Sequence, residues 1–186
     1  LNHNWGVFFT HTARWAGNDR HAYFIALERG ERIMRMVEFD THTGNTRVLF
    51  EEMSDTHINI VTSDYMSPSA HRYLASSNEL LWWSERSGWG HLYLYDLNTG
   101  ELKRQITGEK SSASSDSEWS VREVLHVDEQ RREILIQTAG RVAGRDPYYR
   151  DICRVQIDTG EITTVYSSDE DTCVHYPESI AVYADN

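Results

Sequence analysis

Several things are scarce in this chain. Basic residues are outnumbered, 18 Lys and Arg against 29 Asp and Glu, which gives a formal net charge of −11. An acidic surface argues against nucleic acid and anionic membranes as partners. No apolar run approaches the length of a membrane-spanning helix, so no span is expected in this segment. There is no G-x-S-x-G nucleophile elbow, although serines are plentiful. No Walker-type phosphate loop occurs, since Gly140–Arg145 (GRVAGR) lacks the Lys-Ser/Thr that would follow. No Cys-x-x-Cys occurs, and none of the nine histidines pairs with another at helical spacing around a Glu, so no metal site and no cofactor is expected. The histidines are read as ordinary surface or edge residues.

Prolines number three and cysteines two. Cys153 falls in an expected inner strand and reads as a small buried apolar residue. Cys173 falls in a polar loop, and spacing alone does not decide whether the two are bonded. Two cysteines do not fix the redox compartment. No signal peptide is visible, and the chain opens on Leu rather than Met, so it reads as a piece of a longer protein.

What the chain does have is aromatic: six Trp, ten Tyr and five Phe. Residues 80–100, LLWWSERSGWGHLYLYDLNTG, organise the rest. A short apolar run is followed by a Gly-rich turn, an alternating stretch (91–97), a second tight turn at Asn98-Thr99-Gly100, and a further strand at 102–106. This is the signal of two successive hairpins. The pattern recurs upstream, with strands expected at 22–28, 32–39 and 47–50, and downstream, with strands at 133–138, 151–157 and 162–166. The Thr-Gly turns end at Gly44, Gly100 and Gly160, 56 and 60 residues apart. A repeat of that length with four strands per unit is the pattern of a propeller blade. We therefore expect an all-β partial propeller of about three four-stranded antiparallel blades, at 10–52, 58–108 and 119–168, with the start of another at 177–186. A single antiparallel sandwich with regularly spaced turns remains the alternative.

Three groups of residues invite a chemical reading. Glu51-Glu52 is the obvious carboxylate pair, but on one extended strand neighbouring side chains point to opposite sides. They are expected to be exposed charges at a strand end. Trp82, Trp83, Trp89 and Trp119 either line a groove or wedge adjacent sheets, and the wedge is the commoner use. The 140–150 loop reads as a solvated hairpin connection.

The segment WSERSGWGHLYLYD (residues 83–96) closely resembles the W-S-E-R-x-G-W-x-H-L-Y-L-Y-D signature of the propeller in dipeptidyl-peptidase IV-type serine peptidases, of the prolyl oligopeptidase group. The resemblance extends through Arg104-Gln105-Ile106-Thr107-Gly108, Trp119-Ser120-Val121, Val127-Asp128-Glu129 and GRDPYYR (144–150). It implies a secreted or periplasmic enzyme in which this propeller covers a C-terminal α/β-hydrolase domain that carries the Ser, Asp and His of acyl transfer. No catalytic residue then falls within this chain. The implied work is gating and positioning of a peptide substrate, and a homodimer of the parent is also compatible with the resemblance. The family's Glu-Glu clamp for the peptide amino terminus sits in a W-x-Y-E-E context, which Glu51-Glu52 lack. Some members place an aromatic-Arg pair before Pro-Ser. Here Met66 and Ser67 stand before Pro68-Ser69, so any substrate contact there would keep an adaptable apolar Met66 but lack the guanidinium. A stand-alone propeller that docks a protein partner is the rival reading.

Overall fold

The computed structural model describes residues 13–16, 20–59, 71–108 and 118–169. Among them there are twelve strands and no helix. The first sheet holds β1 (Ala13–Trp15), β2 (His21–Leu27), β3 (Ile33–Asp40) and β4 (Thr46–Met53). The second holds β5 (Arg72–Leu74), β6 (Glu79–Ser84), β7 (His91–Asp96) and β8 (Leu102–Gln105). The third holds β9 (Ser120–Asp128), β10 (Glu133–Ala139), β11 (Arg150–Gln156) and β12 (Ile162–Ser167). In each sheet the strands lie side by side in chain order, as antiparallel meanders. The fold is all-β, with three blade-like four-stranded sheets.

The Thr-Gly turns share one construction. The glycine N–H donates to the backbone carbonyl four residues back, at 2.8 Å, in Gly44, Gly100 and Gly160. The threonine hydroxyl before it accepts from the backbone N–H two residues on, in Thr43, Thr99 and Thr159. At Gly100 a side chain is excluded twice over. Its φ is +81°, and a Cβ would collide with the carbonyl of Leu49. In the first two turns an aspartate, Asp40 or Asp96, also caps the following N–H groups.

Asp40 is further held by Arg20, whose guanidinium donates to Oδ2 at 2.5 and 3.1 Å. The Arg20 bond, opposed by some desolvation and aided by the N–H groups of His42 and Thr43, holds this carboxyl well below the usual carboxylate range. The group's contribution to stability is therefore complete above its unfolded value of about 4 and is lost as pH falls through the lower folded value. Asp40→Asn is expected to lower Tm at pH 7, with the gap to the parent narrowing as the pH drops below about 4. Melting curves from pH 2 to 7 test this, and a gap independent of pH would refute it.

Two compact units are present. One comprises the described residues up to Trp82 with Leu94–Arg104, the other Trp83–Tyr93 with the described residues from Gln105 onward. In the first, Phe50 of β4 stacks on Tyr95 at 3.8 Å and meets Trp82 edge-on at 4.9 Å, while His71 stacks on Trp82 at 4.2 Å. Tyr23 and Tyr73 lie 6.0 Å apart. In the second, the Trp83 indole N–H donates to the carbonyl of Val121 at 2.9 Å, and the Val121 N–H donates to the Gly90 carbonyl at 2.7 Å. Every residue of β6 is buried, as are the first five of β7. The last strands of the sheets, β4, β8 and β12, are the most exposed. Aromatics here wedge sheet against sheet, and Trp82, Trp83 and Trp119 are all buried while Trp89 is not.

The reading of the histidines as surface residues fails at His91. It is fully buried, with Nδ1 3.2 Å from the Thr107 hydroxyl and its ring edge-on to Trp119 at 4.8 Å. The ring fills a space that a tight approach by Gly108 leaves open. Gly90 plays the same part beside Trp83, since a Cβ there would fall on the indole ring. Gly90→Ala is expected to cost about 1–3 kcal/mol through overpacking. Urea denaturation checks this, and an unchanged midpoint would mean that Trp83 swings aside freely.

Candidate functional site

Met66 and Ser67, with Pro68, Ser69 and Cys173, lie outside the described residues. Cys153 is a buried free cysteine on β11. Among the described residues no three His, Cys, Asp or Glu side chains gather where they could hold a metal ion.

Glu51 and Glu52 do point to opposite sides, but they are not a strand end. β4 runs on through Met53, and Glu52 is buried, taking the Trp82 indole N–H at 2.5 Å. Glu51 instead accepts from Arg35 at 2.5 Å, and the same guanidinium also donates to Glu28. The strand continues because Ile33, Met34 and Arg35 of β3 supply partners opposite Met53, Glu52 and Glu51. The two carboxylates act in separate networks and do not form an acid/base pair.

The densest polar grouping lies in the third sheet and the loop between β10 and β11. That loop is more than a solvated connection. Arg145 reaches back from it to Asp151 at 2.6 Å, with only 11% and 1% of the two side chains exposed. The Ser167 hydroxyl donates to the same Asp151 oxygen at 2.6 Å and accepts from Arg145. Arg141 donates to the Thr164 hydroxyl of β12. Two loop guanidiniums thus fasten the 140–150 segment to the outer strand.

Behind this clamp, Gln137 of β10 is fully buried and its Oε1 accepts from Arg150 at 2.8 Å. Gln137 faces Glu123 across the ladder, while the next register pair is Thr138 with Val121. Arg122 is therefore the extra residue of a β-bulge, a feature that re-aims a side chain out of the regular alternation. Burial, and then the like charge of Arg150, push the Arg122 guanidinium below its ordinary pKa, while Glu85 acts in the opposite sense. The group offers donors and fixed charge but no nucleophile held by a base. Its chemistry is recognition, not bond-breaking.

These residues were missed from sequence. In SVREVLHVD the buried side chains at Val121, Glu123 and Leu125 keep a strict alternation, and only the adjacent apolar pair Val124-Leu125 breaks it. That pair marks the neighbouring bulge at Leu125, and nothing in the alternation marks the one at Arg122.

Residues 8–186 match the family described as the dipeptidyl peptidase IV (DPP IV) N-terminal region. The chain is also similar to solved structures. Dipeptidyl peptidase 4 from Porphyromonas gingivalis is 20% identical, with a TM-score of 0.64 over 83% of this chain and 19% of that one. A protein assigned as dipeptidyl aminopeptidase IV from Bacteroides ovatus is also 20% identical, with a TM-score of 0.58 over 81% of this chain and 21% of that one. A protein assigned as TolB from Agrobacterium tumefaciens is 10% identical, with a TM-score of 0.51 over 82% of this chain and 47% of that one. At these identities the structures share the fold, and the chain spans only about a fifth of the two peptidases. With the family match covering nearly the whole sequence, the chain belongs to the dipeptidyl peptidase IV N-terminal region family.

Proposed function

We propose that this chain is the non-catalytic propeller part of a dipeptidyl-peptidase IV-like serine exopeptidase, and that it gates access and helps position peptide substrates. The observation that carries the reading is the family match over residues 8–186, joined to a sequence with no nucleophile elbow. Segments 10–52, 58–108 and 119–168 act as successive blades, and 177–186 begins another. Bond cleavage belongs to an α/β-hydrolase domain elsewhere in the parent, and the propeller contributes orientation and the exclusion of large folded substrates. Met66 and Ser67 are assigned a substrate contact that is apolar rather than guanidinium-based.

The test is an assay of the parent polypeptide and of the 186-residue chain on a dipeptidyl-prolyl chromogenic substrate, and on a folded protein that begins with the same dipeptide. The parent is expected to cleave the small substrate and spare the folded one, while the chain alone cleaves neither. A parent with no peptidase activity would leave a docking module instead. A parent that trims the folded protein equally well would remove the gating role.

A further inference from the structure

We propose that the outer edge of β12 binds an extended segment of a partner polypeptide, uncharged in its middle and basic at both ends, by strand addition. β12 is the last strand of the third sheet, and among the described residues no strand lies beyond it. Its outward backbone N–H and C=O groups form a template for one more strand. β4 and β8 hold the same place in the other two sheets, and neither gains a fifth strand there. The repeat itself leaves this edge open, so a further blade of the same chain is not its occupant.

The three edges differ in what guards them. β4 carries Arg47, Glu51 and Glu52, and β8 carries Lys103 and Arg104. Charges on an edge strand deter pairing with another chain. β12 reads ITTVYS and carries no charge. Ile162, Thr163, Thr164 and Val165 are β-branched, and Val165 and Tyr166 are exposed, at 60% and 45%. Val165 is the extra residue of a bulge, but Ile162, Thr163 and Thr164 keep a regular ladder with Val155, Arg154 and Cys153. The edge is also held in place. Arg141 and Arg145 fasten Thr164 and Ser167 to the 140–150 loop. An incoming strand meets a surface already ordered, which lowers the entropy lost on binding.

Charge selects the occupant. Glu161 stands exposed just before the strand. Asp169 follows it, 4.0 Å from Arg145 and with 86% of its side chain exposed. The sequence continues Glu170-Asp171. In the middle of the strand the Arg141 guanidinium sits on the Thr164 hydroxyl, which disfavours a second cation there. A second copy laid antiparallel on the first would set Glu161 of each against the acidic end of the other, and like charges across a strand pair destabilise it. A segment with Lys or Arg at both ends and β-branched residues between them meets complementary charge instead.

The experiment is amide NMR of the 186-residue chain titrated with the capped peptide Lys-Val-Thr-Val-Thr-Val-Lys. Two controls are the same peptide with Glu at both ends, and the Lys peptide N-methylated at every backbone nitrogen between its ends. The Lys peptide is expected to shift the amides of Ile162–Ser167 most strongly and to slow their hydrogen exchange. The methylated peptide, which has lost its ladder donors, is expected to do neither. The Glu peptide is expected to bind about threefold or more weakly, with the difference shrinking as salt is raised. Glu161→Lys is expected to weaken the Lys peptide about two- to fivefold, as befits the loss of an exposed ion pair. Glu101→Lys, the same change at the matching exposed position before β8, is expected to leave it intact. Sedimentation velocity of the chain alone is expected to show no dimer that Thr163→Lys removes. The proposal is overturned if the Lys peptide leaves β12 unmoved, if the methylated peptide shifts the same amides equally, if the Lys and Glu peptides bind alike at low salt, or if Glu161→Lys responds as Glu101→Lys does. Dimers lost in Thr163→Lys would make a second copy the occupant and would equally overturn it. The inference does not rest on the peptidase reading and none of its readouts is peptidase activity, so either can fail without the other.

Discussion

Trp82→Ala is expected to destabilise the chain by about 3–5 kcal/mol, the range for truncating a large buried aromatic. Trp82 is fully buried and touches three groups that come from different parts of the first unit. Phe50 meets it edge-on, His71 stacks on it, and Glu52 takes its N–H. Truncation opens a cavity among the rings that pack on Trp82. It also takes a donor from a buried carboxylate, and charge-assisted bonds of that kind are worth about 1.5–3 kcal/mol. Against a total stability of roughly 5–15 kcal/mol for an ordinary domain, the loss is a large share. Trp82→Phe separates the two contributions, because it restores most of the ring volume and not the N–H. It is expected to cost about 1–3 kcal/mol. Urea unfolding followed by both fluorescence and circular dichroism measures these values and also shows whether the two units unfold together. A cost for Trp82→Ala below about 1 kcal/mol would mean that the aromatic cluster is loosely packed and does not hold the unit together.

Most of the fold could be read from the sequence because its determinants are local. Aromatic and branched residues alternating between Gly-bearing turns specify hairpins, and Thr43-Gly44, Thr99-Gly100 and Thr159-Gly160 build their turns from neighbours within four residues. What could not be read depends on partners far along the chain. Glu52 looks like a surface charge until Trp82, thirty residues on, supplies its donor. His91 looks polar until Trp119 and Thr107 enclose it. β4 outlasts its apolar residues because β3 offers a ladder for Glu51 and Glu52, which local propensity does not reveal. The Arg122 bulge belongs with these cases. Its neighbours Val121 and Glu123 are both buried, so the alternation carries no local sign of it, and it appears only when Gln137 and Thr138 of β10 set the register.

The loop clamp leads to a prediction with a sign that depends on the variant. Arg145→Ala is expected to cost about 3–5 kcal/mol, because it strands a buried negative charge. Asp151 has 1% of its side chain exposed, and one of its oxygens already has no hydrogen-bond partner. With Arg145 removed, only the Ser167 hydroxyl remains of the bonds to Asp151 Oδ1, and a neutral donor does not replace a guanidinium. The double variant Arg145→Met, Asp151→Leu removes both charges while keeping apolar volume, and it is expected to return to within about 1 kcal/mol of the parent or to exceed it. Ser167 tolerates the change because it is exposed and water can take its hydroxyl. Denaturant titration of the parent, Arg145→Met, Asp151→Leu and the double variant gives the coupling directly. If the double variant is as unstable as Arg145→Ala, the loss arises from the shape of the loop and not from a stranded charge. Hydrogen exchange distinguishes the role of the pair in another way. The double variant keeps global stability but loses the tether between the 140–150 loop and β11 and β12, so amides of that loop are expected to exchange faster even where the midpoint is restored. The charges would then contribute little to how stable the sheet is and much to where the loop stays.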